Sequence, residues 1–409
     1  MNDAKSGQVT AGPPAFPMNR GCPFAPPGRY AELRKEQPIT RVTLPTGRLA
    51  WFVTRHEYVR TLLMDPRMSS NRDHEGTPVM FPIPERTRRV FDVFGKALIG
   101  LDPPEHTYSR RMLASEFTLQ RVRSMRPRIQ EIVDECIDDL LAGPRPVDLV
   151  QALSLPVPSK VICELLGVPY SDREFFQGCT AVMVSRSTPP SERHRAVEEL
   201  RQYIDELVTA KEKTPGDDLF GRLMARNEKT RVFTHETLIG VALLLLMGGY
   251  ETTASMISLS VTWLLEHPQQ LEVIKADPAA TNTALEELLR YFSVFDTMPR
   301  VALADIEIGD CVIRAGEGVL LGFGAANRDD EVFENPDVMD LRRGDRNHVA
   351  FGYGVHQCLG HNLARAELEI VLNTLFARIP DLRLAAPVSE LSFKKDAGIY
   401  GINEIPVSW

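Results

Sequence analysis

Between a Thr234 cap and a stop at His267 and Pro268 the chain carries one helical segment of about 48 Å at 1.5 Å per residue, apolar on nearly every face. A helix with no polar stripe has nothing to offer water, so it must be buried and the rest of the chain must wrap it. Helical spacing recurs in Val122, Met125, Ile129, Ile132, Cys136 and Leu140 before Gly143 and Pro144 end the pattern. Strand-favouring residues are fewer. They form a hairpin from Ile39 to Leu44 and Arg48 to Thr54 about Pro45, Thr46 and Gly47, and shorter runs from Arg300 to Leu303, Ile306 to Ile308, Cys311 to Arg314 and Gly318 to Gly322. The expected class is mainly α with minor β. Residues 1–28, rich in Pro and Gly, read as an extended arm. No linker divides 29–409, which read as a single domain.

Ahead of another helix-like run lies FGYGVHQCLG, residues 351–360. Phe351, Gly352, Gly354, His356, Cys358 and Gly360 describe a loop that presents one sulfur to a metal, the glycines taking positive φ and letting a flat ligand lie close. The following helix N-terminus and loop N–H groups are expected to lower the Cys358 thiol pKa. Within the central helix, GGYETT (248–253) places two helix-weakening glycines before an acid and two hydroxyls. A helix opened there admits oxygen and water. Thr252, one turn beyond Gly248, either faces that opening or bonds back to the Gly248 carbonyl in a packing notch. Glu287 and Arg290 are three apart on one helical face, which by spacing alone describes a surface pair.

Jointly, these motifs resemble those of the cytochrome P450 family, from the FPMNRGCPF arm to the closing INEIPVSW. The resemblance implies a cytochrome P450 fold with haem b held between the long central helix and the Cys358 loop with its following helix. It implies a monooxygenase in which Cys358 ligates iron and Glu251 and Thr252 relay protons. His106, Arg110, Arg300 and His356 would meet the haem propionates, with Gly249, Phe351 and Gly360 also against the cofactor. Glu287 and Arg290 would form a buried pair joined by Arg343, or by Arg342, serving folding and haem retention. Electrons would come from NAD(P)H through ferredoxin reductase and a ferredoxin docking near Arg110 and Arg111 on the thiolate face, where Arg121, Arg123, Arg126 and Arg128 also cluster. Leu244, Met247, Gly248, Phe295, Met298 and Ile399 are expected to line an apolar pocket, entered past residues 70–100 and the break from Ser187 to Pro190. Similar proteins act on macrolides, other polyketides, peptides, terpenoids and sterols, and a secondary metabolite of antibiotic biosynthesis such as a macrolide, polyketide or peptide is the expected substrate. A peroxide-using haem-thiolate enzyme, or a haem sensor or carrier without turnover, is the alternative.

The formal charge of −8 lacks the basic face that nucleic-acid binding needs. The longest apolar run near a possible span, Val241 to Met247, is short of the roughly 20 residues that cross a bilayer. No basic, then apolar, N-terminal segment resembles a secretory signal, and six cysteines without CxxC spacing fit reduced thiols. The expectation is a cytoplasmic protein away from nucleic acid and membrane.

Overall fold

The computed structural model describes residues 12–80 and 97–409. The first helices are α1 (Arg29–Glu36), α2 (His56–Met64), α3 (Glu105–Ala114) and α4 (Leu119–Ala142). Next come α5 (Pro156–Leu166), α6 (Arg173–Val184), α7 (Pro190–Lys213) and α8 (Leu219–Thr230). The central α9 (His235–Glu266) precedes α10 (Pro268–Ala276), α11 (Thr281–Phe292), α12 (Phe323–Ala326) and α13 (His361–Arg378). Strands are β1 (Ile39–Thr43), β2 (Leu49–Val53), β3 (Met68–Ser69), β4 (Val147–Asp148) and β5 (Thr297–Ala302). The rest are β6 (Ile306–Ile308), β7 (Cys311–Ile313), β8 (Gly318–Gly322), β9 (Arg383–Leu384) and β10 (Pro406–Ser408).

The central helix starts where its cap predicts: Thr234 Oγ1 accepts from the Thr237 N–H at 3.2 Å. It lies against α5, α7 and α13. From 238 to 264 every residue is buried except Leu244, Met247, Gly248, Gly249 and Thr252. By length and mean hydropathy α9 could cross a membrane, which the seven-residue run had not signalled. Its burial among other helices makes that apolarity the core of the fold. It also runs unbroken through Gly248 and Gly249, so the expected opening of the helix there is not present.

In the larger sheet the strand order is β1-β2-β8-β5-β3. The β1–β2 hairpin pairs Ile39 with Val53 and Thr43 with Leu49, and β8 joins β2 in parallel. Antiparallel pairing with β8 sets Met298 opposite Leu321 and Arg300 opposite Val319, so this sheet delivers Arg300. Smaller sheets are β4-β10-β9 and β6-β7. Near the C-terminus a hairpin, bridged between Phe393 and Ile402, docks on the α6–α7 connection: Arg186 N–H donates to the Asp396 carbonyl at 2.7 Å, and Gly398 N–H to that of Val184 at 3.3 Å. Of the two entrance segments, this connection is thus pinned, while 81–96 lie outside the described residues. The same is true of residues 1–11 of the arm; beyond them Ala15 bridges in parallel to Thr43 of β1.

Candidate functional site: a thiolate loop and a cavity

The loop before α13 is shaped by two glycines. Gly352 (φ 69°) and Gly354 (φ 73°) occupy the left-handed region, and a Cβ on Gly354 would lie 2.9 Å from the Leu63 carbonyl oxygen. Gly360 differs: its φ is −86°, and an added Cβ would meet nothing within 4 Å among the described residues beyond its chain neighbours. Its use is space beside the sulfur, not backbone freedom. Cys358 N–H donates to the Phe351 carbonyl at 2.8 Å, closing the loop. Cys358 is open to solvent-sized molecules, yet desolvation is the first influence on its thiol, as for a group lining an interior cavity.

That burial raises the thiol pKa; the Gly360 N–H, Arg110 and Arg365 lower it without reversing the shift. The expected depression by the helix end and the loop N–H groups is therefore not met. Two residues separate Cys358 from α13, and desolvation outweighs the donors. A bound metal cation deprotonates a coordinating thiol outright, and that supplies the missing favourable charge.

His106, Arg110, Arg300 and His356 come together beside the loop. The two imidazoles lie 4.0 Å apart between centroids with their planes tilted by 41°, Ser70 Oγ lies 3.0 Å from His356 Nε2, and Arg110 donates to the Gln357 carbonyl at 2.7 Å. Burial, then neighbouring cations, lowers His106 to about 4 and His356 to about 3. Among the described residues both nitrogens of buried His106 lack a hydrogen-bond partner, and Arg300, 4% exposed, donates to the adjacent Pro299 carbonyl. Buried donors without acceptors are costly unless an acceptor comes from elsewhere. Among the described residues no group of three or more His, Cys, Asp or Glu could hold a metal. One sulfur on one side and orphaned donors along an edge fit a metal complex that brings its own ligands and carboxylates, as haem does.

On α9, an added Cβ on Gly248 would meet nothing within 4 Å beyond its own helix among the described residues, whereas a Cβ on Gly249 would stand 2.6 Å from Ile162 side-chain atoms of α5. Gly249 thus serves helix packing, and the expected cofactor contact falls to Gly248. Thr252 Oγ1 donates to the Gly248 carbonyl at 3.1 Å. Glu251 Oε1 accepts from Lys394 Nζ of the C-terminal hairpin at 2.6 Å. Phe295, Met298 and Ile399 are half-buried, like Leu244 and Met247.

Behind the loop, Arg290 Nε and Nη2 reach the Glu287 carboxylate at 2.7 and 2.8 Å, both side chains at 0% exposure. Arg343 Nε adds a contact at 3.1 Å, while Arg342 is exposed. The surface pairing that spacing allowed is excluded. A second cluster went unnoticed in the sequence: buried Glu286 takes Arg365 at 2.8 Å through both oxygens and His348 Nε2 at 3.0 Å. Burial alone would raise Glu286; these partners override it and hold the acid down at about 2. Arg365 also lies over the Phe351 ring at 4.6 Å, tying this cluster to the thiolate loop. The doublet of acids in the apolar run TALEELLRYF was the available signal.

The arginine cluster divides. Arg126 is bidentate to Glu369 at 2.9 Å, and Arg128 is engaged by Glu131, Glu135 and Glu164. Arg111 and Arg123 are exposed, as are the large apolar side chains Tyr108, Leu119 and Val355.

The vitamin D3 dihydroxylase of Streptomyces griseolus is 49% identical over 411 residues, spanning 100% of both chains. The chain belongs to the cytochrome P450 family. A family model described as Cytochrome P450 matches residues 182–277 and 279–379. Among solved structures, cytochrome P450 MoxA of Nonomuraea recticatena is 53% identical with a TM-score of 0.88, covering 97% of this chain and 98% of that one. The mycinamicin VIII C21 methyl hydroxylase of Micromonospora griseorubida, crystallised with mycinamicin VIII, is 41% identical with a TM-score of 0.91, over 97% and 100%. As a cytochrome P450 the chain is a monooxygenase with haem as its family cofactor.

Proposed function

We propose that the protein inserts one oxygen atom from O₂ into a mid-sized apolar secondary metabolite, of the macrolide or polyketide kind, by hydroxylation or epoxidation. The carrying observation is the accessible line of Leu244, Met247, Gly248 and Thr252 on a helix that, apart from these and Gly249 packed on Ile162, is buried from 238 to 264. A core helix exposes such a line only to a cavity, and its apolar side chains select an apolar guest. The likeness to a macrolide hydroxylase agrees with that size and class.

Haem, when bound, supplies the redox metal that takes up and cleaves dioxygen. Cys358 Sγ would hold the iron, and His106, Arg110, Arg300 and His356 would meet the propionates. Gly248 and Gly360 keep space free of side chains. Glu251 exchanges the Lys394 ammonium for a proton and passes it toward Thr252 Oγ1, which turns from the Gly248 carbonyl to deliver it. General-acid delivery of this kind contributes about 10²- to 10⁴-fold.

Electrons arrive from NAD(P)H through ferredoxin reductase and ferredoxin in the cytoplasm. The docking face is assigned to Arg110 with exposed Arg111 and Arg123, whose positive charge complements an acidic ferredoxin.

The test is a reconstituted system with ferredoxin reductase, ferredoxin and a panel of macrolides screened by low-spin to high-spin Soret shift. Hits that turn over with NAD(P)H and O₂ support the reading. A reduced carbon-monoxide spectrum without the red-shifted thiolate band, or turnover supported by hydrogen peroxide and not by ferredoxin, overturns it.

A further inference from the structure

Arg365 reaches across the gap between two helices and the thiolate loop. Its Nε and Nη2 grip both oxygens of Glu286 on α11 at 2.8 Å. That leaves Nη1 for the first turn of α13, where it donates to His361 Nδ1 at 3.0 Å and to the His361 carbonyl at 3.3 Å. A guanidinium offers no acceptor, so His361 Nδ1 accepts and the ring proton sits on Nε2. The Arg365 guanidinium carbon also stands 4.6 Å from the centre of the Phe351 ring, and the Phe351 carbonyl takes the Cys358 N–H. Arg365 therefore touches the chain on both sides of Cys358, seven residues before it and three after.

The charge pair is aimed. Glu286 is engaged by Arg365, His348 and Arg346, and among the described residues it makes no hydrogen bond to 351–360. Its cationic partner is the one that meets Phe351 and His361, so the positive end faces the sulfur loop and the negative end lies behind it. His348 completes the backing: its Nδ1 accepts from the Ala350 N–H at 3.3 Å while Nε2 meets Glu286. Arg365 is also one of the cations that favour the anionic form of Cys358. With Glu286 at 2% side-chain exposure and Arg365 at 25%, water screens this field little.

We propose that Arg365 is a positioning residue that sets the reduction potential of haem held by Cys358, with Glu286 as the counter-charge that limits its effect. A cation beside a thiolate ligand draws electron density from the sulfur and favours the state holding one more electron, while the counter-charge behind it opposes that pull. The inference rests on Cys358 as the iron ligand.

The test is a spectroelectrochemical titration of the full-length haem protein as wild type, Arg365→Met, Arg365→Lys and Glu286→Gln, with denaturant titrations of the same samples. Arg365→Met should lower the potential, cutting the ferrous-to-ferric ratio at a fixed poise by about ten-fold, or ~59 mV for a one-electron couple. Arg365→Lys should keep most of the wild-type potential. Glu286→Gln leaves the cation without its counter-charge and should raise the potential, although it too weakens the fold. A purely structural cluster would lower stability in both variants while their potentials stay put or move together, and either result overturns the proposal. If Arg365→Met does not retain haem, Glu286→Gln decides, an unchanged or lower potential overturning it. A red-shifted carbon-monoxide band in every sample with unmoved potentials sinks this inference and leaves the haem-thiolate reading standing, whereas a wild type without that band sinks both.

Discussion

Lys394 Nζ donates to Glu251 Oε1 at 2.6 Å, joining the C-terminal hairpin to the acid of the central helix. A carboxylate tied to an ammonium cannot carry a proton until that tie loosens. Glu251→Gln should cut product formation by about 10²-fold or more while oxygen consumption continues, read as product formed per NAD(P)H oxidised.

Replacing Cys358 by Ser should abolish the red-shifted carbon-monoxide band of the reduced protein. Circular dichroism should keep its helical signal, because α9 and its neighbours pack without that side chain.

Removing one member of the Glu287–Arg290 pair strands a charge at 0% exposure. Arg290→Met should destabilise the fold by about 3 to 5 kcal/mol in denaturant titrations and release haem faster. Arg343→Met, at 15% side-chain exposure, should do less.

Glu286 sits at about 2 when folded against 4.5 as its ordinary value. Its contribution, of order 3 kcal/mol, is present above pH 4.5 and lost as pH falls through about 2. Glu286→Gln should be less stable at neutral pH and show a flatter stability–pH curve across that acid window.

Turnover driven by ferredoxin should fall as salt rises. Arg111→Glu should slow it by roughly ten-fold at low ionic strength and flatten that dependence, with dithionite reduction unaffected.

What the sequence revealed was local. Gly352, Gly354 and Cys358 act within ten residues, so their spacing shows their purpose, and the Thr234 cap with its apolar run fixes α9 almost to the residue. Adjacent positions on a helix were harder. Gly248 and Gly249 differ by about 100° of rotation, and only the placement of Ile162 tells which of them faces the cavity. Lys394 lies in a loop without periodicity, and its meaning depends on a partner 143 residues away. Glu286 was hidden beside Glu287 because an acid doublet on a helix ordinarily points to water. The helix-end argument at Cys358 failed for a related reason: burial cannot be read from a motif.

The narrow opening along α9 also bears on how such an enzyme can diversify. Nearly every other residue of that helix is committed to holding neighbours, so new guests must be admitted chiefly by exchanging Leu244 and Met247. Evolution, or an engineer, can therefore reshape what enters while leaving the scaffold's stability intact.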